Sequence, residues 1–322
     1  MKIREKLKKI YWFIDEKCPT LSYMMLKVIF SNGKQICPNE FKIYENNINY
    51  SSFGRYPTIT KSKLQYCAYA RYKKKYVNNI LLEKDNEDNY YENIVTITID
   101  GLYYYNQYLK NKSIRYKKRM IQIADWLCEK QGNNGEWFYP IAYIHTPTGE
   151  HFEKNWLSAM AQGMGISLLI RVYYDSKNDK YLNAAINATK PLKISIEDGG
   201  VCRIYNGCIF WEEYPTLAPS LTLNGFLYCL LGLIDLKSFY FNSDIECMVE
   251  KGFLSLLELL PLYDDAGCSS YDLTYLVSNT RIRSKKYHLI HIQLLQILNS
   301  LYKNDEIMLY ITKWKMQLGI KK

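Results

Sequence analysis

The sequence predicts a mainly α-helical protein: an α/α toroid or incomplete barrel of about four helical hairpins, with β-hairpin loop insertions and a small N-terminal extension. Polar turns recur at intervals of about 64 residues, near Lys112, Asn178, Asn242 and Asn304. Each turn separates two segments with helical apolar spacing, as in "MIQIADWL" and "YLNAAINATKPL". Because a hairpin cannot bury its apolar face alone, eight such helices should pack into a toroid with a cleft where the longer loops gather.

Three longer segments between the helices are expected to contain the functional residues, since binding and catalytic residues concentrate on loops. The first, "CEKQGNNGEWFYPIAY", has turn residues followed by an aromatic, strand-like run. The second, "EDGGVCRIYNGCIFWEEYP", predicts a β-hairpin that opens at Gly199–Gly200 and turns at Asn206–Gly207. The third, "YDDAGCSSYDLTYLVSNTRIRSKKYH", brings Tyr, Asp, Arg and His together. We expect all three on one rim of the toroid.

Residues 1–92 are predicted to form the N-terminal extension, partly β, packing on the toroid of residues 93–322. Within it, "FGRYPTITKSKLQYCAYARYKKKYVNNILL" predicts a short β element leading into a helix, and "EKDNEDNYYEN" an exposed turn. The start, "MKIREKLKKIYWFIDEK", has too short an apolar run for a secretion signal, and no stretch is long enough to span a membrane. We therefore expect the protein in the cytoplasm or at the inner face of the membrane.

The composition indicates a folded protein with an anionic partner. The chain has 322 residues, of which 48% are hydrophobic and 23% charged, which fits one large or two modest domains and excludes disorder. Its net charge of +10 favours nucleic acid, anionic lipid or acidic polysaccharide. Nucleic acid is not expected, because the basic runs lack a recognisable binding module. The 31 tyrosines suit a groove that binds sugars as well as a core.

Cysteine usage predicts neither disulfides nor a metal site. The nine cysteines are scattered without a CxxC pair or another spacing typical of metal ligands. We expect reduced thiols, no metal and no cofactor.

The segment "WEEYP" places Glu212 and Glu213 between Trp211 and Tyr214, with Pro215 preventing a helix directly afterwards. Carboxylates are costly to bury without a polar partner. We therefore expect a polar partner or a substrate at these two glutamates.

Several segments, taken in order, resemble a known family. They are "NWLSAMAQGMGISLLIRVYYDSKNDKYLNAAINATKPL", "GGV", "EEYPTLAPSLTLNGFLYCLLGLIDL", "YDL" and "YHLIHIQLLQIL". Together they resemble the C-terminal domain of D-glucuronyl C5-epimerases, over about Thr96 to Leu318. The resemblance implies an isomerase that converts D-glucuronate to L-iduronate in heparosan-type chains. Its substrate would be an acidic, uronate-containing polysaccharide.

Inversion at carbon 5 requires two proton-transfer groups on opposite faces of the sugar and donors or cations for the carboxylate. The resemblance implies that Glu213, Tyr214, Tyr271 and Tyr287 do this work, and we assign Glu213 and Tyr287 as the opposed pair. Tyr214 and Tyr271 would orient the uronate or relay a proton. Burial should raise the pKa of Glu213, while Arg283, Lys285 or Lys286 should lower that of a tyrosine.

A second set of residues is predicted to bind substrate: Glu212, Gln162, Asn224, Arg281, Arg283, Lys286 and His288. Alternatives remain for several of them. Glu212 fits a salt bridge equally well, Gln162 and Asn224 fit amides bonded to the backbone, and His288 with His291 fits a brace for its helix. The chain also allows a homodimer.

One position departs from the resemblance. Where the animal enzymes have Arg after the YDL tyrosine, this chain has Thr274, which cannot neutralise a carboxylate. Either Arg281, Arg283 or a lysine replaces that cation, or the substrate differs, or catalysis is lost. The alternative functions are a non-catalytic glycan-binding toroid and a uronate polysaccharide lyase, which begins with the same proton abstraction.

Overall fold

A computed structural model describes residues 50–57, 74–85, 87, 89–278 and 281–319 of the chain. Contacts divide the chain into two compact units, which are described separately: Met1–Glu40 with Thr60–Glu92, and Phe41–Ile59 with Asn93–Lys322. The basic N-terminal run and most of "YARYKKKY" lie outside the described residues. Residues 58–73 of the segment predicted as a β element leading into a helix also lie outside them, and its described end, residues 74–82, forms two strands and a turn, so a helix is wrong there. The packing of the extension on the toroid stays a prediction.

In the first unit, the described residues form a three-stranded antiparallel sheet. Its strands are β1 (Lys74–Val77), β2 (Ile80–Lys84) and β3 (Tyr90–Tyr91), paired in the order β1-β2-β3. Asn78 and Asn79, both with positive φ, make the turn between β1 and β2. Between β2 and β3, the Asp85 carboxylate accepts hydrogen bonds from the backbone N–H groups of Glu87 and Asn89. This Asx turn lies in the segment "EKDNEDNYYEN", where the sequence predicts an exposed turn.

The second unit contains the four predicted helical hairpins. In chain order, the helices of its described part are α1 (Ile94–Asn111), α2 (Ile114–Lys130), α3 (Ala159–Ser176), α4 (Asp179–Asn187), α5 (Leu223–Lys237), α6 (Ser243–Tyr263), α7 (Lys285–Tyr302) and α8 (Asp305–Gln317). The turns α1–α2, α3–α4, α5–α6 and α7–α8 fall at the four predicted positions. The mainly helical class is therefore confirmed.

Local capping chemistry explains why the turns recur. Asn178, Asn242 and Asn304 are N-caps whose side chains accept hydrogen bonds from backbone N–H groups in the first turn of α4, α6 and α8. Lys177 and Lys303 directly precede two of these caps. Each ends the helix before it in the left-handed conformation. A left-handed residue followed by an N-cap reverses the chain in two residues, so the two helices lie side by side.

Helices α1, α3, α5 and α7 pack side by side in chain order, and each of α2, α4, α6 and α8 packs against the helix before it. The most extensive contact between helices is between α3 and α5, which are buried on nearly all sides. A side chain at Gly163 is excluded there, because its Cβ would lie 2.3 Å from the Cα of Cys229. These two helices form the centre of the core.

A buried ion pair joins α3 to α5 at the end of α5 opposite to Leu223. Arg171 Nη1 lies 2.5 Å from Asp235 Oδ2, and both side chains are fully buried. The Tyr50 hydroxyl donates to Asp235 Oδ1 at 2.8 Å and accepts from Arg171 Nη2 at 2.8 Å. The cluster therefore ties the segment around Tyr50 to the helices. In the described part of the chain, no helix is long and apolar enough to cross a membrane.

Two β-hairpins are inserted between the helical hairpins. The first pairs β4 (Tyr143–His145) with β5 (Glu150–Phe152), and the second pairs β6 (Cys202–Tyr205) with β7 (Cys208–Trp211). The predicted turn of the second is confirmed, since Asn206 and Gly207 lie between β6 and β7 and both have positive φ. Short 3₁₀ turns, Lys190–Lys193 and Thr274–Leu276, complete the loops.

Candidate active site

The three long loops meet at one rim of the helical unit. The Glu150 carboxylate, from the first loop, accepts hydrogen bonds from the backbone N–H groups of Leu217 and Ala218 in the second, at 2.6 and 3.0 Å. The second and third loops are joined by backbone hydrogen bonds, with Leu273 N donating to Ser220 O at 2.9 Å. Loop residues far apart in sequence are therefore held together, as the sequence predicts.

Glu212 points into the second loop, away from any cleft. It is fully buried and pairs with Arg203, whose Nε lies 2.7 Å from Oε1. The Ser220 hydroxyl and the Leu221 N–H donate to Oε2 at 2.7 and 2.9 Å. The expectation that Glu212 binds substrate is corrected here, because the other residues of its own loop already occupy its carboxylate.

Glu213, the next residue, has its carboxylate at the N-terminus of α5. Asn224 Nδ2 donates to Glu213 Oε2 at 3.2 Å. Gly225 makes room for this approach, since a Cβ there would lie 2.5 Å from Oε2. A helix N-terminus also favours a negative charge. The elements "EEYP" and "LNGF" therefore form one structure.

The environment of Glu213 suits a general base. Its side chain is half-buried, and desolvation raises the pKa of Glu213 to about 7. Hydrogen-bond interactions with Tyr214 and Asn224 oppose the rise, and the nearby charges of Glu212 and Asp272 add to it. A carboxyl group with a pKa near 7 is about half in its basic form at neutral pH, and that form accepts a proton readily.

The three predicted site tyrosines lie next to Glu213. Tyr214 and Tyr271 lie within electrostatic range of Glu213 and of each other, and the Tyr271 and Tyr287 rings are 4.4 Å apart between centroids. Burial, followed by the charge of Glu213, raises the pKa of Tyr214 and of Tyr271 well above the usual value. The expectation of a lowered pKa is wrong for these two tyrosines, so at neutral pH they remain protonated and donate.

Gln162 and His288 are not placed to bind substrate. The Gln162 side chain is fully buried, with Oε1 accepting from Trp137 N and Nε2 donating to the carbonyl oxygens of Gly135 and Ala188. Both ring nitrogens of the buried His288 are also used, Nδ1 by Ser269 and Nε2 by the Trp314 carbonyl. The expectation of substrate contacts is corrected for both residues: they brace loops and helices.

The predicted cations lie on the third loop and at the start of α7. Arg281 Nη1 is 3.7 Å from Asp265 Oδ2, and its guanidinium lies 3.6 Å from the centre of the Tyr275 ring. Arg283 pairs with the same Asp265 but is 53% exposed. Of the three predicted cations, Lys286 lies against a site tyrosine, with Nζ 5.3 Å from the centre of the Tyr287 ring.

Comparison with known proteins identifies the family to which these residues belong. A family model described as "D-glucuronyl C5-epimerase C-terminus" matches residues 130–316, which is more than half of the chain. The chain belongs to this family. It is 32% identical over 241 residues to the D-glucuronyl C5-epimerase of Caenorhabditis elegans, covering 69% of this chain and 38% of that protein. The chain therefore spans less than two fifths of the length of this relative.

Two further similarities concern sequence and fold. An uncharacterized protein of Methanocaldococcus jannaschii is 31% identical over 170 residues, covering 51% of this chain and 53% of that protein. Among solved structures, a family 76 glycoside hydrolase from a bovine Bacteroides thetaiotaomicron strain matches with a TM-score of 0.50 and 14% identity, covering 75% of this chain and 50% of that chain. This structural likeness supports the predicted α/α toroid fold.

Thr274, the departure from the D-glucuronyl C5-epimerase pattern, is fully buried and has a local role. Its hydroxyl donates to Asp272 Oδ1 at 2.7 Å. Asp272 is itself fully buried, and its Oδ2 has no hydrogen-bond partner among the residues that the structure describes. Burial raises the pKa of Asp272, and its charge in turn raises that of Glu213. This position therefore supplies no cation to the site.

Tyr228 is a further candidate for the site that sequence reasoning missed. It lies on α5 one turn after Asn224, on the face that touches Glu213, and is 1% exposed. Burial raises the pKa of Tyr228, and the charges of Glu213 and Tyr287 raise it further, so it lies within electrostatic range of both. The i, i+4 spacing from Asn224 in "LNGFLY" was the available signal. Within the described residues, no group of three or more His, Cys, Asp or Glu side chains could hold a metal ion.

Proposed function

We propose that this protein inverts carbon 5 of D-glucuronate residues in an acidic, heparosan-like polysaccharide, giving L-iduronate. The main support is the half-buried Glu213, whose pKa of about 7 suits a base, beside a group of tyrosines in a member of the D-glucuronyl C5-epimerase family. The net charge of +10 favours such an anionic chain. Binding near the inner face of the membrane, and assembly as a homodimer, belong to the same proposal.

In the proposed reaction, Glu213 takes the proton from carbon 5. The C5–H bond breaks, its electron pair is shared with the neighbouring carboxylate as an enediolate, and the proton moves to a Glu213 oxygen. Tyr287 then donates its hydroxyl proton to the opposite face, so that a new C5–H bond forms with inverted geometry. Glu213 has gained one proton and Tyr287 has lost one.

Tyr214 and Tyr271 lie between these two groups. Tyr214 lies within electrostatic range of Glu213 and of Tyr271, whose ring contacts Tyr287. Because both remain protonated at neutral pH, they can donate to the uronate, and they offer a path by which the proton on Glu213 returns to Tyr287.

The negative charge on the enediolate needs donors or cations nearby. Lys286 is the best placed of the three predicted cations, since its Nζ lies 5.3 Å from the centre of the Tyr287 ring. We propose that Lys286 and the hydroxyl of Tyr228 replace the arginine that relatives have at the position of Thr274.

Hydrogen exchange at carbon 5 tests the proposal. The full chain is incubated in heavy water with a glucuronate polymer, and deuterium at carbon 5 and the iduronate product are measured by NMR. The parent should incorporate deuterium and invert. Tyr287→Phe should invert at least about 100-fold more slowly, because one proton-transfer group is lost while the ring remains.

A matched control lies on the same helix. Tyr302→Phe, near the other end of α7 and 39% exposed, should invert at the parent rate. Exchange by Tyr287→Phe without inversion would support two opposed groups. Absorbance from an unsaturated uronate would instead identify a lyase, and binding of the polymer without exchange would identify a glycan-binding protein.

A further inference from the structure

The α1–α2, α3–α4 and α5–α6 turns lie together at the end of the helical unit opposite to the candidate site, here called the turn end. Lys117 at the start of α2 pairs with Asp175 near the end of α3, with Nζ 2.7 Å from Oδ2. The Tyr174 ring lies 5.8 Å from that of Phe239, just after α5. Helix α5 has 15 residues, so its two ends are about 20 Å apart. Because Glu213 lies at the other end of α5, the turn end faces away from the rim.

Large apolar side chains are exposed at the turn end. Phe241 is 95% exposed and Ile114 63%, and Phe53 and Tyr174 are also exposed. The Phe53 and Tyr174 rings stack at 4.9 Å, within 21° of parallel, and Tyr174 also contacts Phe239, two residues before Phe241. Single exposed apolar residues are ordinary, but a group of neighbours marks an interaction surface.

Phe241 is exposed because of how α6 begins. It directly precedes Asn242, whose side chain caps α6 by accepting hydrogen bonds from two backbone N–H groups, at 3.0 and 3.3 Å. An apolar residue before an N-cap often packs on the fourth residue of the helix, but here that residue is Glu246, which pairs with Lys237. The cap therefore fixes the position of Phe241 and leaves its ring in water.

Positive charge surrounds Ile114. The segment "LKNKSIRYKKR", from Leu109 to Arg119, contains six Lys and Arg residues and no Asp or Glu, with Ile114 in its middle. The nearby carboxylate of Asp175 is paired with Lys117 of this segment. The α1–α2 turn therefore adds an excess of positive charge to the turn end.

Two further cations adjoin the exposed aromatic side chains. Lys177 Nζ lies 4.6 Å from the centre of the Tyr174 ring, and Arg55, two residues after Phe53, is exposed. Asp179, an exposed acid close by, lies in the first turn of α4, where it complements the helix dipole. The turn end thus combines exposed apolar side chains with a local excess of positive charge.

A bilayer that contains anionic lipids matches both features. Aromatic and aliphatic side chains enter the boundary between headgroups and acyl chains, while Lys and Arg bind the phosphates and keep their apolar stems against the boundary. A second copy would bring two sets of cations together, so repulsion opposes a dimer through this face. An acidic polysaccharide would pair with the cations but would leave Phe241 and Ile114 in water.

From these observations we propose that the turn end binds the surface of an anionic lipid bilayer, with Phe241, Ile114 and Phe53 entering the boundary between headgroups and acyl chains. The surrounding cations bind lipid phosphates. The rim with Glu213 then faces away from the bilayer and stays open to a polysaccharide in solution. The inference rests on the proposed function only for the location near a membrane, and it adds the binding surface and the orientation.

Co-sedimentation with vesicles tests this surface. The full chain is mixed with vesicles of phosphatidylcholine alone, or of phosphatidylcholine and phosphatidylglycerol in equal parts, and the bound fraction is measured against lipid concentration. The parent should bind the anionic vesicles at least about 10-fold more tightly, and added salt should weaken this binding because it screens exposed charges. Phe241→Ser should bind the anionic vesicles about 10-fold more weakly, because it loses the ring that enters the boundary.

A charge variant and a matched control complete the test. Lys110→Gln with Lys118→Gln removes two exposed cations near Ile114, and should also weaken binding to anionic vesicles about 10-fold. Leu217→Ser should bind as the parent does, because Leu217 is 77% exposed but lies in the second loop, at the rim. Since all these side chains are exposed, circular dichroism should show the parent Tm for each variant.

The outcomes distinguish this inference from the proposed epimerase. A parent that binds neither kind of vesicle would overturn the membrane surface even if it inverts glucuronate, and so would equal binding by the parent, Phe241→Ser and the double lysine variant. Vesicle binding that depends on Phe241 and on the two lysines would support the surface even if no exchange at carbon 5 occurs. A dimer that Phe241→Ser dissociates would identify a second copy as the occupant and overturn the inference.

Discussion

An acidic side chain lies at each end of helix α5, and the two side chains have different partners. Near the C-terminal end, Asp235 is fully buried but bonded to the Arg171 guanidinium and the Tyr50 hydroxyl. At the N-terminal end, Glu213 is half-buried against Asn224 and Gly225. Its hydrogen-bond partners within the described residues are neutral.

The difference separates a stabilising cluster from a reactive one. Removing the cation from a buried ion pair leaves an uncompensated buried charge, which is strongly destabilising. A carboxylate desolvated without a cation has a raised pKa and exchanges its proton near neutral pH, as expected for Glu213. One end of α5 therefore holds a paired buried charge, and the other holds a carboxylate that is costly to keep charged.

Removing Arg171 from its ion pair with Asp235 should have the largest effect on the free energy of unfolding. Arg171→Met leaves Asp235 buried without its cation, and should lower the free energy of unfolding by about 3–5 kcal/mol. Urea denaturation followed by circular dichroism measures the change. The double variant Arg171→Met with Asp235→Leu should recover much of the loss, because the unpaired charge is gone. A loss below about 1 kcal/mol in the single variant would contradict the contrast between the two ends.

Neutralising Glu213, at the other end of α5, should lower activity and raise stability. Glu213→Gln should reduce exchange at carbon 5 by about 100-fold or more. Because the folded-state pKa is raised from 4.5 to about 7, the parent loses stability as pH rises from about 4.5 to about 7, and its charged Glu213 costs about 3 kcal/mol at pH 8. The variant should therefore be more stable than the parent at pH 8, and the difference should vanish below about pH 4.

Urea denaturation of both proteins at pH 4 and pH 8 measures this difference, and the neighbouring residue provides the control. Glu212→Gln leaves Arg203 without its carboxylate, so it should destabilise the protein at pH 8 by about 1–3 kcal/mol. An equal stability gain for Glu213→Gln at both pH values would show that the pKa of Glu213 is not raised in the folded protein.

The smallest expected effect concerns Tyr228, between the two ends of α5. Tyr228→Phe removes a hydroxyl within electrostatic range of Glu213 and Tyr287 but keeps the ring, which stacks on Tyr56 at 6.2 Å. Exchange at carbon 5 should fall about 10-fold, or about 1.4 kcal/mol, with an unchanged Tm. Tyr56→Phe, on the other side of the stack, should exchange at the parent rate. Equal exchange rates for the parent and Tyr228→Phe would show that Tyr228 contributes only to core packing.

Much of the fold could be predicted from the sequence, because it depends on local patterns. Helical spacing identified both members of each hairpin, and Asn178, Asn242 and Asn304 are N-caps at the turns. The Asn206–Gly207 turn followed from the backbone conformations that these residue types tolerate. The placement of Glu213 with Tyr214, Tyr271 and Tyr287 came instead from the family resemblance.

The substrate-binding predictions were less accurate, because they concerned groups whose partners lie far away in the chain. Gln162 bonds to backbone groups of two loops, and His288 to the start of another loop and to α8. Nothing near either residue in the sequence indicates these partners. Tyr228 was missed because its apolar neighbours made it look like one more core residue.

The sequence by itself determined the helical hairpins, their turns and the types of residue at the rim, since helical periodicity and capping act within a few residues. Only the tertiary structure decided which of the two adjacent glutamates we propose as the base. Glu212 and Glu213 are neighbours, yet Arg203 and Ser220 enclose one carboxylate and the start of α5 receives the other. The physical reason is that burial and pairing, which set a pKa, depend on elements brought together by folding.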